Sequence, residues 1–174
     1  METTFALGAL LMSVVGAIFD VRSATVPNWL TGGALAAGLV VRAWFSGWHG
    51  LETGVLGALF SGAVLFVPFL ARGIGGGDVK LMAAVGAWVG VRHALVLILA
   101  TAIAGGIVAV GCMVAHNRVG DTLWKVARLI ASHAGGAGPR IDLGDQSSDS
   151  IRFPYAVAIA AGAFVVFLST SVWR

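Results

Sequence analysis

The sequence predicts an all-α integral membrane protein: a bundle of about six transmembrane helices with the N-terminus outside, plus one short amphipathic helix at the interface. Three observations predict it. Mean hydropathy is +0.92, and with 58% hydrophobic and only 11% charged residues there is too little polar surface to cover a water-soluble domain of this length. Six apolar runs are separated by polar or glycine-rich breaks, and crossing a hydrocarbon core of about 30 Å takes about 20 apolar residues. The basic residues fall mostly on one side of the layout those runs imply.

The first run, residues 4–19, ends at Asp20. Its leading METTFALGALLM has an acid where a secretory signal carries bases, so a retained span is expected. A polar turn, DVRSATVPN, follows, and its Val26-Pro27 step favours extended backbone. The second run covers 29–45 and the third, after SGWHGLE, covers 53–71; RGIGGGD then leads into a fourth run, 79–91. That run reaches only about 20 Å as a helix, so it is either re-entrant or a crossing that begins in or near the glycines. A fifth run covers 94–115, and the polar stretch 116–152 precedes the last, 153–173. Pro154 stands in that helix's first turn, where a missing N–H is harmless.

Charge chooses between the two readings of the fourth run. With six crossings, Arg22, Arg72, Lys80, Arg118, Lys125, Arg128, Arg140 and Arg152 fall inside, and Arg42, Arg92 and Arg174 fall outside. That distribution fits the positive-inside rule, whereas a re-entrant fourth run would put the basic 116–152 segment outside. The glycine loop then lies at the inner boundary. Trp29, Trp44, Trp48, Trp88 and Trp173 fall near span ends, as an interfacial belt requires. In DTLWKVARLIASH, Leu123, Ala127 and Ile130 share one face and Asp121, Lys125, Arg128 and Ser132 the other. It reads as an interfacial helix with Asp121 at its N-cap, within a cytoplasmic loop of one domain spanning 1–174. A single cysteine, Cys112, excludes an internal disulfide and a cysteine-based zinc site.

Two carboxylates border the spans on the inner side, Asp20 and Asp78. An ionisable group at a membrane edge is costly without a partner or a water-filled cavity. One such acid is the ordinary marker of a helix end; two on one side, one of them following Gly75, Gly76 and Gly77, point to function. A glycine run is able to adopt positive φ and to let another backbone approach, and an extended peptide pairs with such a surface. Asp78 opens one helix and Asp20 closes another, so opposite ends of two helix dipoles act on them. Such a pair is suited to dividing the acid and base roles, and, if close, to sharing one proton.

DVRSATVPNWL, residues 20–30, resembles the signature of type IV prepilin peptidases, in which an aspartate is followed after six residues by Pro-Asn. GIGGGDVKLMAAVGAWVG resembles their second signature, whose Gly-x-Gly-Asp core is shared with presenilin-like intramembrane aspartyl proteases. RFPYAVAIAAGA is similar to the family's final span. The resemblance implies an aspartic endopeptidase of the bacterial inner membrane that removes the basic leader of type IV pilin or pseudopilin precursors at the cytoplasmic face, with Asp20 and Asp78 as the catalytic acids. The absence of a cysteine-bearing cytoplasmic insert makes the chain similar to the compact branch serving Flp-type, tight-adherence pili, and cleavage without N-methylation is expected.

Around the acids, Pro27 and Asn28 are expected to shape the turn presenting Asp20. Lys80 matches the family motif, as a group that tunes the acid or holds substrate, or as a cation snorkelling to the headgroups. Gly86 and Gly90 form G-x-x-x-G, expected to serve close helix packing. His49, His93, His116 and His133 show no metal-ligand spacing, and no phosphate loop, serine elbow or nucleic-acid signature is present. The expected partners are therefore the precursor and the lipid bilayer, with no metal, cofactor or nucleic acid. Two other classes fit the composition: an ion- or proton-coupled transporter, and a non-catalytic pilus or secretion assembly subunit.

Overall fold

A computed structural model describes residues 2–23, 25–70, 74–115 and 155–172. They form four helices: α1 (Glu2–Ser23), α2 (Asn28–Leu70), α3 (Gly76–Ala115) and α4 (Tyr155–Val172). All four are long and apolar enough to cross a membrane, and no strand occurs among the described residues. The expected interfacial helix around Trp124, and Arg72, Gly73, Pro154 and Trp173, lie outside them. The chain divides into two compact units, Met1–Gly105 with Pro154–Arg174, and Gly106–Phe153; the packing below is that of the first.

At 43 and 40 residues, α2 and α3 would each run about 60 Å if straight, twice the hydrocarbon thickness. Neither is straight. Gly47 (φ 60, ψ −147) breaks α2 and Gly90 (φ 73, ψ 169) breaks α3, in a backbone region essentially reserved for glycine. The connection expected over SGWHGLE thus narrows to one residue. The arms of α2 fold back on each other: a methyl on Gly50 would overlap the Arg42 carbonyl, and one on Gly54 would stand 3.1 Å from the Leu39 and Arg42 side chains.

The first arm of α3, residues 76–89, is the centre of the unit. Leu81, Met82, Ala84, Val85 and Ala87 are fully buried, as expected of a helix apolar on every side. This explains how so short a run is accommodated: protein, not lipid, surrounds it. Because lipid tails are as apolar as leucine, close packing rather than water exclusion must hold such helices together. A methyl on Gly57 would overlap the Gly86 carbonyl oxygen, and one on Gly86 would stand 2.6 Å from Ser61 Oγ. The G-x-x-x-G pair therefore does lie in a tight helix contact. α1 and α4 pack along each other.

Arg42, assigned from sequence to the outer side, is buried at 4% exposure. The break at Gly90 leaves the preceding carbonyls without the amides that would close a helical turn. Arg42 supplies substitutes from another helix: its Nε donates to Trp88 O at 3.0 Å and its Nη2 to Val89 O at 2.9 Å. Its Nη1 donates to Thr53 Oγ1 at 3.0 Å, and the guanidinium lies 4.7 Å from the Phe5 ring centre, a cation–π geometry. Glu2, half-exposed, stands 3.8 Å from Arg42 and 3.7 Å from His93.

The tryptophan belt also needs one correction. Trp29, Trp44 and Trp48 are exposed, but Trp88 is buried at 8% exposure. Its ring fills the space left by Gly8 and Gly38, and its Nε1 donates to Ala34 O at 2.8 Å.

Candidate functional site

Asp20 lies in the last turn of α1 and Asp78 in the first turn of α3. The chain reverses between α1 and α2 through Thr25–Pro27. Pro27 is the N-cap of α2, its carbonyl accepting from the Leu30 and Thr31 amides at 3.1 and 3.2 Å. Phe19 and Trp29 close the turn edge to face, ring centres 6.0 Å apart, which ties the end bearing Asp20 to the start of α2.

At α3 the cap is reciprocal. The Asp78 amide donates to Gly75 O at 3.1 Å, and the Gly75 amide donates back to Asp78 Oδ2 at 3.3 Å. The second bond is the half of a capping box made by the third helical residue, here an aspartate, since Gly75 has no side chain to return it; it spends one carboxylate oxygen on orientation. Gly76 and Gly77 are already helical, and positive φ occurs only at Gly47 and Gly90 among the described residues. The glycines before Asp78 are therefore not there for a left-handed turn. Packing does not require them either: a methyl at Gly76 or Gly77 would meet Phe69 at 3.4 Å or Val26 at 3.5 Å, ordinary contacts. A methyl group fits at these two positions without overlap, unlike at the interlocked Gly57 and Gly86, while one on the exposed Gly75 would stand 3.3 Å from Asp78 Oδ2.

The two signature segments meet. Lys80 Nζ donates to Asn28 Oδ1 at 2.9 Å, joining positions 52 residues apart, and buried Val26 packs over Gly77. Asp20 stands near enough for its charge to act on Asp78. Asp20 Oδ2 is buried without a hydrogen-bond partner, an uncommon condition for a carboxylate oxygen. So Asp20, Asp78, Pro27, Asn28, Gly75, Gly76, Gly77 and Lys80 gather at one end of the unit, from the ends of three helices.

Sequence reasoning missed one member. Asp78 also acts electrostatically on Tyr155, the first residue of α4 and the only tyrosine in the chain. Its ring packs on the core and would meet a methyl on Gly105 at 3.1 Å. The available signal was its uniqueness and its place beside Pro154 at a span start. Among the described residues no group of three or more His, Cys, Asp or Glu side chains could hold a metal ion.

Residues 7–110 match the model of the type IV leader peptidase family, a stretch that holds both acids. Over 111 residues the chain is 37% identical to proteins named prepilin leader peptidase/N-methyltransferase from two strains of Burkholderia pseudomallei, 1026b and K96243. The match covers 60% of this chain and 35% of each relative, so the chain spans about a third of the length of the curated relatives it matches. No solved structure matches it significantly.

Proposed function

The chain belongs to the type IV leader peptidase family, and from that premise we propose that it is a membrane aspartic endopeptidase acting on Flp-type pilin precursors at the cytoplasmic face of the bacterial inner membrane. What supports this most is that Asp20, with a buried carboxylate oxygen that has no hydrogen-bond partner, lies within electrostatic reach of Asp78, which is held by the exposed Gly75 amide. Two acids in Coulombic reach favour a state that shares one proton, which lets one act as base and the other as acid in amide hydrolysis.

In the proposed reaction the ionised carboxylate takes a proton from water as its oxygen attacks the scissile carbonyl carbon. The protonated carboxyl gives its proton to the carbonyl oxygen, forming a neutral tetrahedral diol. Collapse breaks the C–N bond: the carboxyl protonated in the first step gives its proton to the nitrogen, which leaves as the mature N-terminus. The other carboxylate takes a proton from one diol hydroxyl, and the leader departs with the new carboxyl group. The two acids exchange roles in the course of the cycle. Gly75–Gly77 give the extended substrate backbone access to Asp78, and Lys80 with Asn28 holds the Asp20 turn against α3.

The topology belongs to the same proposal. Breaks at Gly47 and Gly90 turn four helices into six crossings, with the N-terminus outside and both acids at the inner boundary, in accord with the basic residues assigned there. Co-expression with an Flp-type precursor, scored by mass spectrometry for leader loss, tests the function. Removal by the wild-type chain is expected. No removal, combined with ion flux into liposomes, would replace the peptidase by a transporter.

A further inference from the structure

α1 and α4 leave an apolar groove between them, away from the acids. Its walls are Val14, Ala17, Ile18 and Val21 of α1 with Val157 and Ala160 of α4, and Arg22 stands at one end. The α1 residues follow the three- and four-residue spacing of one helix face. Asp20 is two positions from both Ile18 and Arg22, about 200° around the helix from each, so the groove opens on a different side from the candidate site. Ile18 and Val21 are 48% and 66% exposed, and among the described residues Arg22 forms no ion pair.

We propose that this groove binds one anionic phospholipid, an acyl chain lying along Val14, Ile18 and Val157 and the phosphate paired with Arg22. Size and charge select that occupant. The groove holds about 410 Å³; spread over the about 12 Å that α1 rises from Val14 to Arg22, its mean section is about 34 Å². An alkyl chain, much narrower than a helix with side chains at about 10–12 Å across, fits within that section along its length. A guanidinium at the end of an apolar trough complements a phosphate diester. It would repel the basic leader of a precursor.

The test uses the full chain purified in detergent without any precursor, so its outcome is independent of the peptidase reading. Retention of phosphatidylglycerol and phosphatidylcholine is compared by native mass spectrometry. The wild-type chain is expected to retain phosphatidylglycerol about fivefold better, the ratio corresponding to about 1 kcal/mol for one basic group at an anionic surface. Arg22→Gln removes the preference, Arg22→Lys keeps most of it, and Ala160→Phe lowers retention of both lipids by filling the trough. Inorganic phosphate alone does not compete. Equal retention of the two lipids, an unchanged preference in Arg22→Gln, or full competition by free phosphate overturns the proposal. In a separate preparation to which precursor is added, its capture in place of lipid by a photo-reactive side chain at Ile18 would overturn it as well.

Discussion

Replacing Arg42 with methionine tests how the break in α3 is held. The perturbation removes the two donors that satisfy Trp88 O and Val89 O and leaves those carbonyls at a buried helix end. Hydrogen bonds from a charged donor contribute about 1.5–3 kcal/mol each, which gives about 3–6 kcal/mol for the pair. Side-chain hydrogen bonds between membrane helices average only about 0.6 kcal/mol, because the unfolded chain finds other partners in the bilayer; two such bonds would give about 1 kcal/mol. The charged donor and the missing backbone partners favour the lower part of the first range, about 3 kcal/mol. Thr53 adds little, since its hydroxyl also bonds the His49 and Gly50 carbonyls. The Glu2 pair adds at most about 1 kcal/mol, because Glu2 is half-exposed and such pairs are screened. Unfolding in mixed micelles, followed by circular dichroism against the fraction of denaturing detergent, measures the loss. Arg42→Lys, able to reach one carbonyl but not to bridge both, should fall between, and Glu2→Gln should stay within about 1 kcal/mol of wild type. A loss below about 1 kcal/mol for Arg42→Met would refute the capping account.

Three further outcomes follow from the same geometry. Gly57→Leu should destabilise by about 1–3 kcal/mol or more through overlap with Gly86, whereas Gly77→Ala should unfold like wild type yet cleave precursor more slowly; equal unfolding midpoints for the two would contradict the distinction between packed and open glycines. Lys80→Met should change stability by less than about 1 kcal/mol while lowering the rate of leader removal about tenfold by loosening the Asn28 contact, with Lys80→Arg retaining more activity. The rate of leader removal should be bell-shaped in pH, falling at low pH when both carboxyls are protonated and at high pH when both are ionised; a rate that only climbs with pH would exclude the shared proton.

The apolar, all-helical character was legible because hydropathy and length report directly on the bilayer. The break at Gly47 falls between the expected second and third runs, whereas that at Gly90 falls inside the expected fourth, one residue before its end. The family was legible through the two signatures that carry Asp20 and Asp78. The Lys80–Asn28 contact was not, since no period links positions 52 residues apart and a lysine beside the headgroups has an ordinary explanation. The burial of Arg42 and Trp88 was missed for one reason. A charge count or belt rule treats arginine and tryptophan as markers of depth, but here a broken helix supplies carbonyl acceptors and Gly8 and Gly38 supply room. Those are three-dimensional facts, visible only once α1, α2 and α3 are packed. Tyr155 was passed over because a lone phenol at a span start looks like an interfacial anchor until Asp78 is known to lie within electrostatic reach of it.

The central claim, that Asp20 and Asp78 form one catalytic unit, is tested most directly by single-turnover cleavage of a purified precursor by the wild type, Asp20→Asn, Asp78→Asn and the double variant. Groups that act as a unit are not additive, so each single variant should fall as far as the double, with all three still folded in micelles. Normal cleavage by either single variant would contradict the account.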